Sequence, residues 1–202
     1  ALIFYLCFQL GLSFRTTMIA SALFAIHPMH VESVAWITER KDVLYAIFYV
    51  GALCCYVHYV KSSKKLFFAL AIVLGALSML SKSMALSLPF ILLVLDWYLK
   101  RKWTRWVFAE KILHFFYIVP IAFVTYLEHA RVPAQNLVEA QLIWVWSITF
   151  YIIKFFWPYP LSPMYELPRP IDFTSLDYNI AVLVFCLCIY LLIRYRKYRL
   201  FV

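Results

Sequence analysis

Residues 27 to 42 read HPMHVESVAWITERKD and lie between two stretches that are almost pure hydrocarbon. They gather His27, His30, Glu32, Glu39, Arg40, Lys41 and Asp42. A second polar interruption, LSKSM at 80–84, places Lys82 between two further apolar runs. Arginine offers two parallel donors to a phosphate and lysine a compact point charge, so Arg40 and Lys82 are candidates for facing one common anion. Glu32, Glu39 and Asp42 set a strip of carboxylates around the Arg40 guanidinium. His27, His30 and Glu32 are also of the types that hold a divalent metal, though an HxxH pair interrupted by Pro28 is a weak metal signal. A carboxylate or guanidinium at the centre of a bilayer costs at least ~2.5–3.5 kcal/mol, so the stretch is expected to line a cavity. Val31, Val34, Trp36 and Ile37 would form its apolar floor. The plainer alternatives are a solvated loop with ion pairs and, for Lys82, a side chain that snorkels from a helix end.

The elements that must position these residues are membrane helices. Of the 202 residues, 65% are hydrophobic and 14% charged, against roughly 45–50% and about 25% in soluble domains. The apolar runs are continuous rather than alternating, so the spanning elements are helices that satisfy their own backbone groups in lipid. Seven runs can be marked, at 1–12, 17–26, 43–60, 66–80, 84–99, 112–127 and 179–193. The chain begins at Ala1 in a run too short to span, which reads as a segment starting inside a helix, and the same is expected at its end. Cys7, Cys54, Cys55, Cys186 and Cys188 all fall in apolar runs and read as packing residues. The expected fold is all-α: one polytopic bundle of about seven spans plus one interfacial or re-entrant helix, with no separate soluble domain.

The net charge of +9 does not point to nucleic acid, because the basic residues sit in short segments between apolar runs. Arg15; Lys61, Lys64 and Lys65; Lys100, Arg101, Lys102 and Arg105; and Arg194, Arg196, Lys197 and Arg199 mark the cytoplasmic side. The segments around 27–42, 81–83 and 128–140, the last with Arg131, then face the opposite side. An eighth run, 141–157, breaks the count and is rich in Trp, Tyr and Phe, so it reads as a helix lying in or dipping into the outer interface. The prolines from Pro158 to Pro170 read as an extended loop. Asp96 reads as an ion-pair partner of the basic residues near it, and Glu110-Lys111 as a helix start. From about Val31 a single helix is expected to run on into 43–60, placing Glu32, Trp36, Glu39 and Arg40 near one face. Proline at 28 ends the helix before it.

LFAIHPMHVESVAWITERKDVLYAIFYV at 23–50 closely resembles membrane glycosyltransferases that carry tetratricopeptide repeats, a group that includes bacterial proteins and eukaryotic O-mannosyltransferases. LSKSMALSLPFILLVLDWY is similar too, with Ser83 where the family has proline, and AEKILHFF and YIIKFFWPYPLSPMY fit later segments. The resemblance implies a GT-C fold, of which 1–202 would be a part truncated at both ends, with the repeats downstream. It implies transfer of a sugar from a polyprenyl-phosphate donor to an acceptor, a protein hydroxyl, on the extracytoplasmic side. The catalytic base it implies is an acidic residue upstream of Ala1, and the membrane it favours is a bacterial inner membrane over the endoplasmic reticulum. Two other readings stay open: a non-catalytic scaffold or transporter half, and a lipid-linked sugar polymerase or ligase.

Overall fold

The computed structural model describes residues 1–129, 136–160, 162 and 165–195, without the side chains of Thr125, Glu128 and His129. Arg131, Pro163, Arg196, Lys197 and Arg199, invoked above, lie outside the described residues. The chain divides into two units, Ala1–Arg131 and Val132–Val202.

The first unit holds α1 (Leu2–Gln9), α2 (Phe14–Ile26), α3 (Val31–Ala35), α4 (Arg40–Ser62), α5 (Lys65–Ser81), α6 (Leu88–Tyr98) and α7 (Arg105–His129). Short 3-10 turns at Pro28–His30, Ile37–Glu39 and Ser83–Ser87 interrupt the series. Ser13 caps α2 by accepting the amide of Thr16 at 3.2 Å, supplying one of the partners a helix start lacks. Ser63, in the left-handed region at φ 58°, ends α4 and turns the chain into α5.

Side-chain pairs give the directions. Lys61 reaches the Gln9 carbonyl and Cys54 the Leu2 carbonyl, so α1 runs parallel to α4. Tyr45 and Ser78 meet at one end of the α4–α5 pair and Tyr59 and Phe68 at the other, so those two helices are antiparallel. Tyr49 meets Ser87 and Tyr56 meets Asp96, so α6 runs with α4. On α7, Lys111 lies near Tyr56 while Ile118 packs with Met79 and Ala85, so α7 runs against α4. The result is an alternating bundle around α4, with Ala52, Tyr56, Val57, Ala71, Leu88 and Leu92 at its centre.

Small residues set how closely the helices approach. A Cβ on Gly75 of α5 would collide with the Tyr117 hydroxyl of α7 and stand 2.8 Å from a Leu88 methyl, whereas on Gly51 it would meet only a Leu74 methyl at 3.4 Å. Gly75→Ala is therefore expected to destabilise the bundle by about 1–3 kcal/mol through overpacking. Gly51→Ala is expected to be neutral or slightly stabilising, since it removes a glycine from a helix interior. Denaturation midpoints of the two variants in detergent check this; equal midpoints would show that α5 and α7 are not in this close contact.

The second unit is a helix pair, α8 (Leu137–Phe156) and α9 (Leu176–Arg194), joined by the proline-rich connection. Asn136 caps α8, and Thr149 of α8 donates to the Ala181 carbonyl of α9 at 3.1 Å.

The expectation of an all-helical membrane protein is met, but the count of seven spans is not reproduced. Among the described residues, four helical segments are long and apolar enough to cross a membrane: Ile37–Ser62, Arg105–Val124, Leu137–Phe156 and Leu176–Arg194. A fifth arises if Phe14–Ile26 and Pro28–Ala35, bent by 51°, form one broken span. Lys65–Ser81 and Ser83–Tyr98 are shorter apolar helices, because the backbone of Lys82 is extended (φ −157°, ψ 134°) and separates them. The run expected in the interface is a continuous 20-residue helix that meets the length and apolarity of a span.

Candidate functional site

The polar residues of the first unit form two clusters at opposite ends of α4. Asp42 and Tyr56, one in each cluster, lie ~21 Å apart along that helix.

At the N-terminal end of α4, Asp42 is the hub. The Lys82 ammonium donates to its Oδ1, and the Ser33 hydroxyl donates to Oδ2 at 3.2 Å. Both members of the ion pair are partly open, with side chains 26% and 20% exposed. Three interruptions of the helices build this end. His27 takes an extended backbone ahead of Pro28, and its Nδ1 accepts the Met29 amide at 3.3 Å. Trp36 is extended (ψ 124°) and ends α3. The extended Lys82 aims its side chain back at the first turn of α4.

Several sequence expectations are corrected here. The single helix from Val31 into 43–60 does not form, because the break at Trp36 and the 3-10 turn Ile37–Glu39 separate α3 from α4. Glu32, Glu39 and Arg40 therefore do not make one helical strip. Arg40 is exposed, its Nε donating to the Ile37 carbonyl at 3.0 Å, and Glu39 stands 3.5 Å from Lys41. Asp42 is engaged by Lys82. Val31, Val34, Trp36 and Ile37 are exposed. The His27 and His30 rings are 6.1 Å apart, and among the described residues no three His, Cys, Asp or Glu side chains converge as metal ligands would.

The second cluster, at the C-terminal end of α4, was only half legible. Asp96 of α6, fully buried, accepts from the Tyr56 hydroxyl at 2.8 and 2.9 Å and from the Lys111 ammonium, which is itself 3% exposed. Arg101 lies between α6 and α7. Its guanidinium holds Glu110 with both terminal nitrogens, at 2.5 and 2.8 Å, and reaches Tyr56 at 3.1 Å and Asp96 at 3.5 Å. The Tyr59 hydroxyl closes the ring on Glu110 at 2.6 Å. Hydrogen bonds to Glu110 raise the Arg101 pKa, so the cation is fixed in its charged form. Two carboxylates meet two cations, so the cluster is internally neutral. Asp96 is the ion-pair partner expected of it. Its burial, and the inward placement of Glu110 and Lys111 in the second turn of α7, went unread. The signal for that was the cost of placing the Asp96 charge within an apolar run.

These features make the chain an integral membrane protein with a neutral ionic cluster built on a buried Asp96–Lys111 pair and a second, partly open pair at Asp42 and Lys82. No family model and no solved structure matches it. Over 113 residues, 52% of this chain, it is 31% identical to Protein O-mannosyl-transferase TMTC4 of Homo sapiens, and the match covers 15% of that protein. Over 108 residues it is 31% identical to the Mus musculus protein of the same name, again 15% of its length. Over 56 residues, 28% of this chain, it is 38% identical to Protein O-mannosyl-transferase TMTC3 of Mus musculus, 6% of that protein's length. The matches thus relate part of this chain to short stretches of much longer proteins.

Proposed function

We propose that this chain is part of a GT-C-type membrane glycosyltransferase, and that the Asp42–Lys82 end of the bundle receives the phosphate of a polyprenyl-phosphate sugar donor. The observation that carries the reading is the placement of Lys82: an extended break in an apolar helix pair presents an ammonium, partly open, beside the first turn of α4. Arg40 begins that turn and is exposed. The names of the partial relatives support a sugar as the transferred group and a protein as its acceptor.

In this reading the acceptor hydroxyl attacks the anomeric carbon, the bond from that carbon to the phosphate oxygen breaks, and the lipid phosphate leaves with both electrons. Lys82 and Arg40 stabilise the charge that builds on the leaving oxygen. Glu32, Glu39, His27 and His30 border the same end and contact the sugar or acceptor. The acceptor proton passes to a carboxylate assigned, as the family resemblance implies, to a loop preceding Ala1. Tetratricopeptide repeats following Val202 would bind the protein acceptor. The distribution of basic segments supports the extracytoplasmic face for the site, and a bacterial inner membrane is the proposed location.

The test is sugar transfer by the full-length protein from a polyprenyl-phosphate mannose donor to a peptide acceptor, with Arg40→Ala and Lys82→Ala compared against wild type. Each substitution is expected to reduce transfer. Unchanged transfer in both would remove the phosphate assignment.

A further inference from the structure

We infer that Asp42 is an exchangeable counter-ion: it holds the Lys82 ammonium in place until an anionic lipid phosphate takes that ammonium from it. This rests on the proposed donor site and adds the residue that sets how readily the site fills.

Three observations carry it. The first is the contrast between the two ionic clusters. Asp96 and Lys111 are sealed, with side chains 0% and 3% exposed, and Arg101 and Glu110 complete their neutralisation. Asp42 and Lys82 are both reachable from outside. Of these two lysine–aspartate pairs, an incoming anion can reach only the second.

The second is the division of labour on the Asp42 carboxylate. Oδ1 takes Lys82 while Oδ2 takes the Ser33 hydroxyl. When the ammonium leaves, the carboxylate keeps a hydrogen bond and access to water, so the exchange does not strand an unpartnered buried charge. Ser33 lies on α3, ahead of the Trp36 break, and its bond to Asp42 at the start of α4 spans that break.

The third is the local charge. Lys41 lies beside Glu39 and Lys82 is held by Asp42, whereas the Arg40 guanidinium is exposed and its Nε is bonded to a backbone carbonyl. A phosphodiester carries one negative charge. Arg40 can meet it at once, and drawing in Lys82 as a second cation means breaking the Asp42 pair. Asp42 therefore opposes donor binding and keeps Lys82 pointed at the site.

The inference predicts that removing the Asp42 charge tightens donor binding. In membranes containing the full-length protein, the half-saturating concentration of polyprenyl-phosphate mannose is measured, together with competition by sugar-free polyprenyl phosphate. Asp42→Asn is expected to lower both concentrations by up to about fivefold, the size of a partly exposed ion pair. Lys82→Gln is expected to raise both. If Lys82→Gln weakens binding while Asp42→Asn weakens it too or leaves it unchanged, Asp42 only positions Lys82, and the counter-ion role is overturned while the donor site stands. If neither Lys82→Gln nor Arg40→Ala changes binding, the donor site itself is wrong. Should Asp42→Asn fail to fold, Ser33→Ala decides: it loosens Asp42 and is expected to shift binding the opposite way, towards weaker donor, because the freed carboxylate turns wholly to Lys82. No shift, or tighter binding, with Ser33→Ala overturns the exchange. Inorganic phosphate competing as strongly as polyprenyl phosphate would assign the site to a free anion and overturn the lipid assignment.

Discussion

Lys111→Met is expected to destabilise the first unit by about 3–5 kcal/mol, the penalty for leaving one member of a buried ion pair without the other. Asp96 is fully buried and takes the Lys111 ammonium on the same oxygen that accepts from Tyr56. With Lys111 gone, Tyr56 and the Arg101 guanidinium at 3.5 Å are its remaining donors. Arg101 is already committed to Glu110 through two hydrogen bonds. The loss should fall at the lower end of the range for that reason. The double variant Asp96→Asn with Lys111→Met is expected to recover a large part of it, since both charges then leave together and neighbours in one network are not additive. Lys41→Ala, at an exposed pair with Glu39, serves as the comparison and is expected to stay within ~0.5 kcal/mol. Denaturation of the detergent-solubilised full-length protein reads all three. A Lys111→Met midpoint equal to that of Lys41→Ala would mean the buried cluster is not formed.

The contrast between the two clusters shows what could be read from the sequence. Continuous apolar runs announce helices, and each marked run corresponds to a helix of the fold. The break at His27 was legible because Pro28 forbids the helix from continuing through it. The break at Trp36 was not, because neither glycine nor proline marks it and the helical spacing continues across it. Lys82 was singled out as an ion stranded between apolar runs, but Asp42, its partner 40 positions away, was grouped with Glu32 and Glu39 around Arg40. Periodicity tells which residues share a face of one helix. It does not tell which face of another helix they meet. The same limit hid the Asp96–Lys111 pair: Asp96 was read as a partner for nearby cations, and only the packing of α6 and α7 against α4 shows that it is buried. The span count is not reproduced for a related reason. Helix breaks at His27 and Lys82 separate apolar helices that are each shorter than a span, and both breaks lie within the stretches that drew attention for their charge.

On the proposed donor-site reading, Lys82→Ala lowers the rate of sugar transfer at saturating donor by about 10²–10³-fold, the range seen when one donor that stabilises a developing anion is removed. The argument turns on where the charge appears. In the bound donor the phosphate carries a single negative charge shared over its oxygens; as the bond to the anomeric carbon breaks, a second charge grows on the leaving oxygen. A lysine at a partly open, partly apolar position acts on that growing charge more strongly than on the ground state, so kcat should fall further than the half-saturating concentration rises. Stability should change little by comparison with Lys111→Met, because Asp42 retains the Ser33 hydroxyl and access to water. The charge-swapped variant Lys82→Asp with Asp42→Lys separates the two roles of the pair. It restores an ion pair between α4 and the break after α5, so the denaturation midpoint should return towards wild type. It also moves the cation onto the first turn of α4, so transfer should stay low. Recovery of both stability and transfer would show that the pair matters only as a tie between helices, and that the phosphate is met elsewhere.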